Sequence, residues 1–155
     1  MTDEDALWQL VAERREGVLA TLHSDGRPQL SNVLYLPDPE LRIVRISTMA
    51  SRAKARNLRR DPRAALHVAG DDFWKYAVAE GEVTLSEVAV APGDKAVAEL
   101  TEMYTALYGE PVDTDAFAGQ MVANGRLAIR LHVSRLYGVI AAGGRRPPQK
   151  VSPGA

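Results

Sequence analysis

Residues 18–36 read VLATLHSDGRPQLSNVLYL. Val18 to Leu22 is a short apolar run, Ser24-Asp25-Gly26-Arg27 follows, and Pro28 to Leu36 resumes in extended form. Asp-Gly between two such runs is a strong hairpin signal, because a tight β-turn needs residues that accept positive φ. In the second arm Leu30, Asn32, Leu34 and Leu36 alternate with their neighbours. Gln29 and Ser31 therefore share one face, and Asn32 points to the other. A chain that opens this way is built from antiparallel strands rather than βαβ units.

Working outward, residues 4–15 place Leu7, Leu10 and Val11 at helical spacing, with Thr2 or Asp3 as a cap and Gly17 as the stop. After the hairpin, Pro37-Asp38-Pro39-Glu40 reads as a second turn and Arg42 to Ser47 as a third strand, which together make a meander. Ser51 to Arg60 reads as a short helix with Ser51 as its N-cap, stopped by Asp61-Pro62. Ala64 to Ala69 is a fourth strand. Phe73 to Leu85 is a long β-like stretch with Gly81 as its bulge. Pro92 to Tyr108 places Val97, Leu100, Met103, Tyr104 and Leu107 on one helical face, and Asp113 to Val122 is a further helix. Arg126 to Ile140 alternates through Leu127, Ile129, Leu131 and Val133 as the last strand. The expected fold is mainly β (α+β): a six-stranded antiparallel barrel with peripheral helices in one domain, residues 1–142. Residues 143–155, rich in Gly, Pro and basic residues, read as a mobile tail.

With 155 residues, 46% hydrophobic and 25% charged, the chain can bury a core without staples. It has no cysteine, which removes disulfides, thiolate catalysis and thiolate metal sites. A net charge of −1 does not mark the whole molecule for nucleic acid. No apolar run approaches the roughly 18 residues that span a bilayer. The acidic start, Thr2-Asp3-Glu4-Asp5, does not read as a secretory signal. The expectation is a cytoplasmic protein with neither a membrane nor a nucleic-acid partner.

Charge is distributed unevenly. Between Arg42 and Arg63 lie eight basic residues against one acid, Asp61. A helix start at Ser51 offers free backbone N–H groups and a positive dipole end. Arg52 and Lys54 add a planar fork and a compact point charge beside it. That combination suits a phosphate or carboxylate. The same composition also fits a solvated basic face balanced by acids elsewhere in the fold. Gln29, Ser31 and Asn32 could hydrogen-bond the polar edge of a planar heterocycle, or be satisfied by neighbouring backbone. Phe73, Trp74 and Tyr76 could cover a ring, or serve as core or interface. His23, His67 and His132 have no metal-ligand spacing, and no Walker, Gly-x-Gly-x-x-Gly or Gly-x-Ser-x-Gly motif occurs. With no acid–base or nucleophile constellation legible and no catalytic residue assigned, an enzyme built from this chain would rely on a bound cofactor.

Gly17 to Thr21 followed by Asp25 to Val33 resembles the opening hairpin of the pyridoxamine 5′-phosphate oxidase-like split β-barrels. Arg52-Ala53-Lys54-Ala55-Arg56-Asn57-Leu58-Arg59-Arg60-Asp61-Pro62-Arg63 is similar to the actinobacterial deazaflavin-dependent oxidoreductase B branch, as are Tyr76 to Gly81 and Val133 to Gly138. The resemblance runs from about residue 5 to residue 140 and implies a homodimer of split barrels with cofactor sites at the interface. It implies coenzyme F420 as cofactor, with FMN as the alternative, and hydride transfer to an electron-poor small molecule such as an enone or a quinone-like compound. Arg52 and Lys54 would hold the cofactor phosphate, with Ser51 and Asn57 nearby. Gln29, Ser31, Asn32, Ile46 and Ser47 would line the ring, and Trp74, Lys75 and Tyr76 would approach from the second subunit. Arg56, Arg59 and Arg60 would screen the poly-glutamate tail that F420 carries and FMN lacks. Tyr76, Lys75 and water are the candidate proton donors. An FMN-dependent enzyme and a non-catalytic F420 carrier are the competing readings.

Overall fold

The Asp25-Gly26 turn closes the first hairpin in the computed structural model, which describes residues 1–141. Gly26 takes φ +86°, a conformation that only glycine adopts cheaply. It joins β1 (Glu16–Leu22) to β2 (Pro28–Leu34) in register from Leu22↔Pro28 to Glu16↔Leu34. The remaining strands are β3 (Leu36–Asp38), β4 (Ile43–Met49), β5 (Arg63–Ala69), β6 (Tyr76–Leu85) and β7 (Arg126–Val139). The sheet order is β2-β1-β5-β6-β7-β4-β3, with every pairing antiparallel.

That order forces curvature. The two edge strands, β2 and β3, are neighbours in the chain, separated by Tyr35 alone. A sheet whose opposite edges are tied by one residue must curl until they nearly meet. The result is a barrel left split between β2 and β4, which are not hydrogen-bonded neighbours. The expected meander ends at the first hairpin, because β4 pairs with β7 and not with β2. The described residues form seven strands where six are expected. The extra one is β3, formed where Pro37-Asp38 was read as a turn: Pro37 pairs with Val44 on a sheet edge, where a missing N–H costs no ladder bond. The long strand expected from Phe73 begins only at Tyr76. Gly81 is the bulge, and any Cβ there would run into the His132 carbonyl.

One end of the barrel is plugged by α1 (Asp3–Glu13), which starts at a Thr2–Asp5 capping box and buries Leu7, Trp8 and Val11. The helix ends at Arg14, so Gly17 belongs to β1 rather than to a C-cap. The Tyr35 hydroxyl, fully buried, donates to the Val11 carbonyl at 2.7 Å and ties the split edge to this helix. The interior is filled by Leu19, Val44, Ile46, Leu66, Ile129 and Leu131 with their neighbours. Outside the barrel, α3 (Lys95–Tyr108) and α4 (Thr114–Ala123) pack through Val97, Leu100, Met103, Ala118 and Met121 onto Ala128 of β7. The outer face of β2 and β1 has no such cover among the described residues. Leu30 and Leu34 are 63% and 46% exposed there, while Gln29, Ser31 and Val33 face inward with their β1 partners. The expectation for residues 143–155 lies outside the described residues.

Candidate functional site

The chain leaves β4 at Met49, turns through Ala50 and Ser51, and enters α2 (Ala53–Arg60). Arg52, not Ser51, is the N-cap, and no side chain caps the helix. The reason is the short turn: the Ala50 N–H donates to the Gly125 carbonyl and the Arg52 N–H to the Met49 carbonyl, which delays the helix start past Ser51. The first turn of α2 holds no acid. The Ala55 N–H already donates to the Arg52 carbonyl, and among the described residues the Ala53 and Lys54 N–H groups have no acceptor.

The β4–β7 ladder brings in a third cation. Met49 pairs with Arg126, the first residue of β7, so Arg126 lies beside the start of α2 although it is remote in sequence. Its guanidinium donates to Ser47 Oγ at 3.2 Å. Arg52, Lys54 and Arg126 line one cleft of about 520 Å³ at the split between β2 and β4. Among the described residues, none of the three has a carboxylate within 4.0 Å. Burial, then the charges of Arg52 and Arg126, pull the Lys54 ammonium below the usual lysine range. Three like charges around an uncapped helix N-terminus are locally unfavourable. An anion bound there would relieve the repulsion and accept the free N–H groups.

Four other cations of the basic run, Arg42, Arg45, Arg60 and Arg63, have partners, while Arg56 and Arg59 are exposed on α2. Arg42 pairs with Glu4 at 2.6 Å and Asp5 at 3.0 Å. Arg45 reaches Glu102 at 3.0 Å and Glu99 at 3.6 Å, and Glu99 also takes Arg130 at 2.6 Å. These pairs clamp α3 to β4 and β7. Arg63 pairs with Asp61 at 2.7 Å, which holds that carboxyl down at about 2. Arg60 donates to the Leu22 carbonyl and to Asn57 Oδ1.

Of the residues expected to form the site, Asn32, Ile46, Ser47, Arg52 and Lys54 come together in the cleft. Ser51 is exposed in the preceding turn and does not line it. Asn57 is only 5% exposed and donates to Thr21 Oγ1 at 3.1 Å. Thr21 in turn donates to Gln29 Oε1 at 3.0 Å, so both amides serve a buried network that holds α2 against the hairpin. Ser31 Oγ is buried and has no hydrogen-bond partner among the described residues. Trp74, Lys75 and Tyr76 do not line the cleft of the chain that carries them. Trp74 packs edge-on against Phe73, Lys75 pairs with Asp71 at 3.3 Å, and the Tyr76 ring stacks on His67 at 5.4 Å. The residues missed from sequence are Arg126 and an apolar set lining the same cleft: Tyr104, Leu107 and Tyr108 of α3, and Phe117 and Met121 of α4. Arg126 had one visible signal, a lone cation opening an apolar strand.

A family model described as pyridoxamine 5′-phosphate oxidase matches residues 3–140. The chain belongs to this family. Its fold recurs in solved structures. A conserved hypothetical protein from Mycobacterium tuberculosis is 24% identical, with TM-score 0.65, covering 93% of this chain and 94% of its own. A structure titled F420 reductase is 23% identical, with TM-score 0.60, covering 88% and 98%. A heme storage protein from Vibrio cholerae is 16% identical, with TM-score 0.63, covering 89% and 95%. At these identities the likeness concerns the fold, and the expected split-barrel architecture stands.

Proposed function

We propose that this chain binds coenzyme F420 in the cleft and uses it to reduce an electron-poor small molecule. The observation that carries the reading is the uncapped start of α2 with Arg52, Lys54 and Arg126 around it, unpaired among the described residues. That donor set fits a phosphate. Arg52 and Arg126 offer planar forks, Lys54 a point charge, and the backbone of α2 its free N–H groups. Ser47 fixes the Arg126 guanidinium through their 3.2 Å hydrogen bond. Asn32 presents an amide on the β2 side, and Ile46, 1% exposed, closes the floor against water. When bound, the reduced deazaflavin supplies a hydride.

An FMN-dependent enzyme would use the same phosphate chemistry. The deazaflavin is favoured by Arg56 and Arg59, exposed on α2 beyond the phosphate end, which suit a polyanionic tail that FMN lacks. Arg60 contributes less to that tail, because its guanidinium is bound to the hairpin. Fluorescence titration of the purified protein with F420 and with FMN tests the choice. Low-micromolar F420 binding that weakens with salt is expected; no binding into the high micromolar range ends the proposal. Yellow protein retaining flavin would select FMN, and tight F420 binding without turnover on a broad acceptor panel would select a carrier.

The homodimer belongs to the same proposal. Exposed Leu30 and Leu34 on β2 continue across the outer sheet face toward Tyr137 and Val139 of β7, each 42% exposed. A second depression of about 590 Å³ on this face shares Asn32, Val33 and Leu34 with the cleft, so a partner docked there would border the cofactor. In this arrangement Trp74, Lys75 and Tyr76 come from the partner. Sedimentation at twice the 16.8 kDa chain mass is the expected result. A monomer that still binds F420 would remove the partner from the site.

A further inference from the structure

The lysines of the chain are Lys54, Lys75, Lys95 and Lys150, and Lys150 lies outside the described residues. The other three meet different surroundings. Lys75 pairs with Asp71 at 3.3 Å. Lys95 is exposed at the start of α3. Lys54 is half-buried in the cleft and has no carboxylate partner among the described residues. The charges that act on it are the guanidiniums of Arg52 and Arg126, which line the same cleft. Burial and these two cations disfavour the ammonium, so more of Lys54 stands as free amine than of an ordinary lysine. The free amine is the nucleophilic form, and a desolvated lysine beside another cation is a known way to activate it. The same guanidiniums offer planar forks to a phosphate. An activated amine and a phosphate site therefore share one cleft of about 520 Å³, and neither Lys75 nor Lys95 lines it. Holding a cofactor phosphate uses Lys54 only as a charge and leaves its amine chemistry free. Any small phosphate-bearing electrophile that enters is drawn to that amine.

We infer that Lys54 is an acylation site for small acyl phosphates, and that its acylation closes the cleft to the cofactor. The phosphate of the reagent sits on Arg52 and Arg126, and its carbonyl carbon meets Lys54 Nζ. The nitrogen bonds to that carbon, the bond from carbon to the bridging oxygen breaks, and the electron pair leaves on the phosphate. The amine proton ends on the departing phosphate. An amide remains, without charge, and the anion site loses one of its three cations. The first half needs only that the cations hold a phosphate; the second rests on the cofactor reading above.

The test maps acylation on the whole protein without cofactor. The protein is incubated with acetyl phosphate, or with acetic anhydride as an electrophile that carries no phosphate, and each lysine is read by peptide mass spectrometry. With acetyl phosphate, Lys54 should be modified about tenfold faster than Lys95, the scale of one charged hydrogen bond to the reagent. Inorganic phosphate should slow modification of Lys54 and leave Lys95 as it was. The preference for Lys54 should be smaller with acetic anhydride. After removal of the reagent, acetylated wild type should bind F420 about tenfold more weakly than untreated protein. Lys54→Arg, which has no amine to acylate, should bind F420 equally before and after treatment. Modification of Lys54 no faster than that of Lys95 overturns the proposal. So does a preference that inorganic phosphate does not reduce, or one that is equal for both reagents. A matching fall in treated Lys54→Arg places the effect at another lysine and overturns the closing of the cleft. If untreated wild type binds no F420, the cofactor reading fails, while the lysine map still decides the acylation.

Discussion

Arg45 and Lys54 belong to one basic run, yet they meet opposite environments. Arg45 sits in a closed ion-pair network with Glu99, Glu102 and, through Glu99, Arg130. Lys54 sits among cations, with its charge disfavoured by burial and by Arg52 and Arg126. The first arrangement holds α3 to the barrel. The second weakens the empty protein locally and gains only when an anion arrives. Paired charge and charge left free for the proposed ligand are therefore separated by partner and not by composition.

The sharpest way to break that division is to remove the unpaired cations. Lys54→Ala and Arg126→Ala should each weaken F420 binding by about 1–3 kcal/mol, and together by about 4 kcal/mol, the scale of charged hydrogen bonds. Fluorescence titration at constant salt reads this, and unchanged affinity would put the phosphate elsewhere. Next in size, Glu99→Gln should cost about 2 kcal/mol in urea unfolding and leave F420 affinity alone. The Arg130 guanidinium holds the Glu99 carboxyl below its ordinary value of 4.5. Its stabilisation is thus present above that pH and is lost as pH falls through the lower folded value. The wild-type and Glu99→Gln unfolding curves should converge as the medium is acidified; parallel curves down to acid pH would show that the pair contributes nothing. Arg42→Ala removes exposed pairs to Glu4 and Asp5 and should cost less than about 1 kcal/mol. Smallest, Lys54→Met should raise apo stability by about 0.5 kcal/mol by relieving repulsion, the usual trade of function against stability. A clear fall in melting temperature would mean that Lys54 is structural after all.

Much of the scaffold was legible because its signals are local. The Asp25-Gly26 turn, the bulge at Gly81 and the stop at Asp61-Pro62 each depend on a few adjacent residues. Ser51 misled for a related reason: a serine before a helix is a good cap, but backbone bonds from Ala50 and Arg52 had already set where the helix could begin. Gln29 and Asn57 are polar residues on the expected elements. Their amides meet through Thr21, a contact across β1, β2 and α2 that spacing does not reveal.

By itself the sequence determined an antiparallel barrel with peripheral helices, a concentrated positive charge at the start of α2, and the resemblance that pointed to a phosphate-bearing cofactor. Only the tertiary structure decided which of those charges are free. Acids from α1 and α3 neutralise Arg42 and Arg45, and among the described residues none reaches Arg52 or Lys54. Only the β4–β7 register brought Arg126 to them, and only the packing of α3 and α4 on Ala128 brought Tyr104, Tyr108 and Phe117 to the same cleft. The physical reason is range. Turns and caps are set by neighbours in the chain, whereas the energy of a charge depends on everything within several ångströms, most of it distant in sequence.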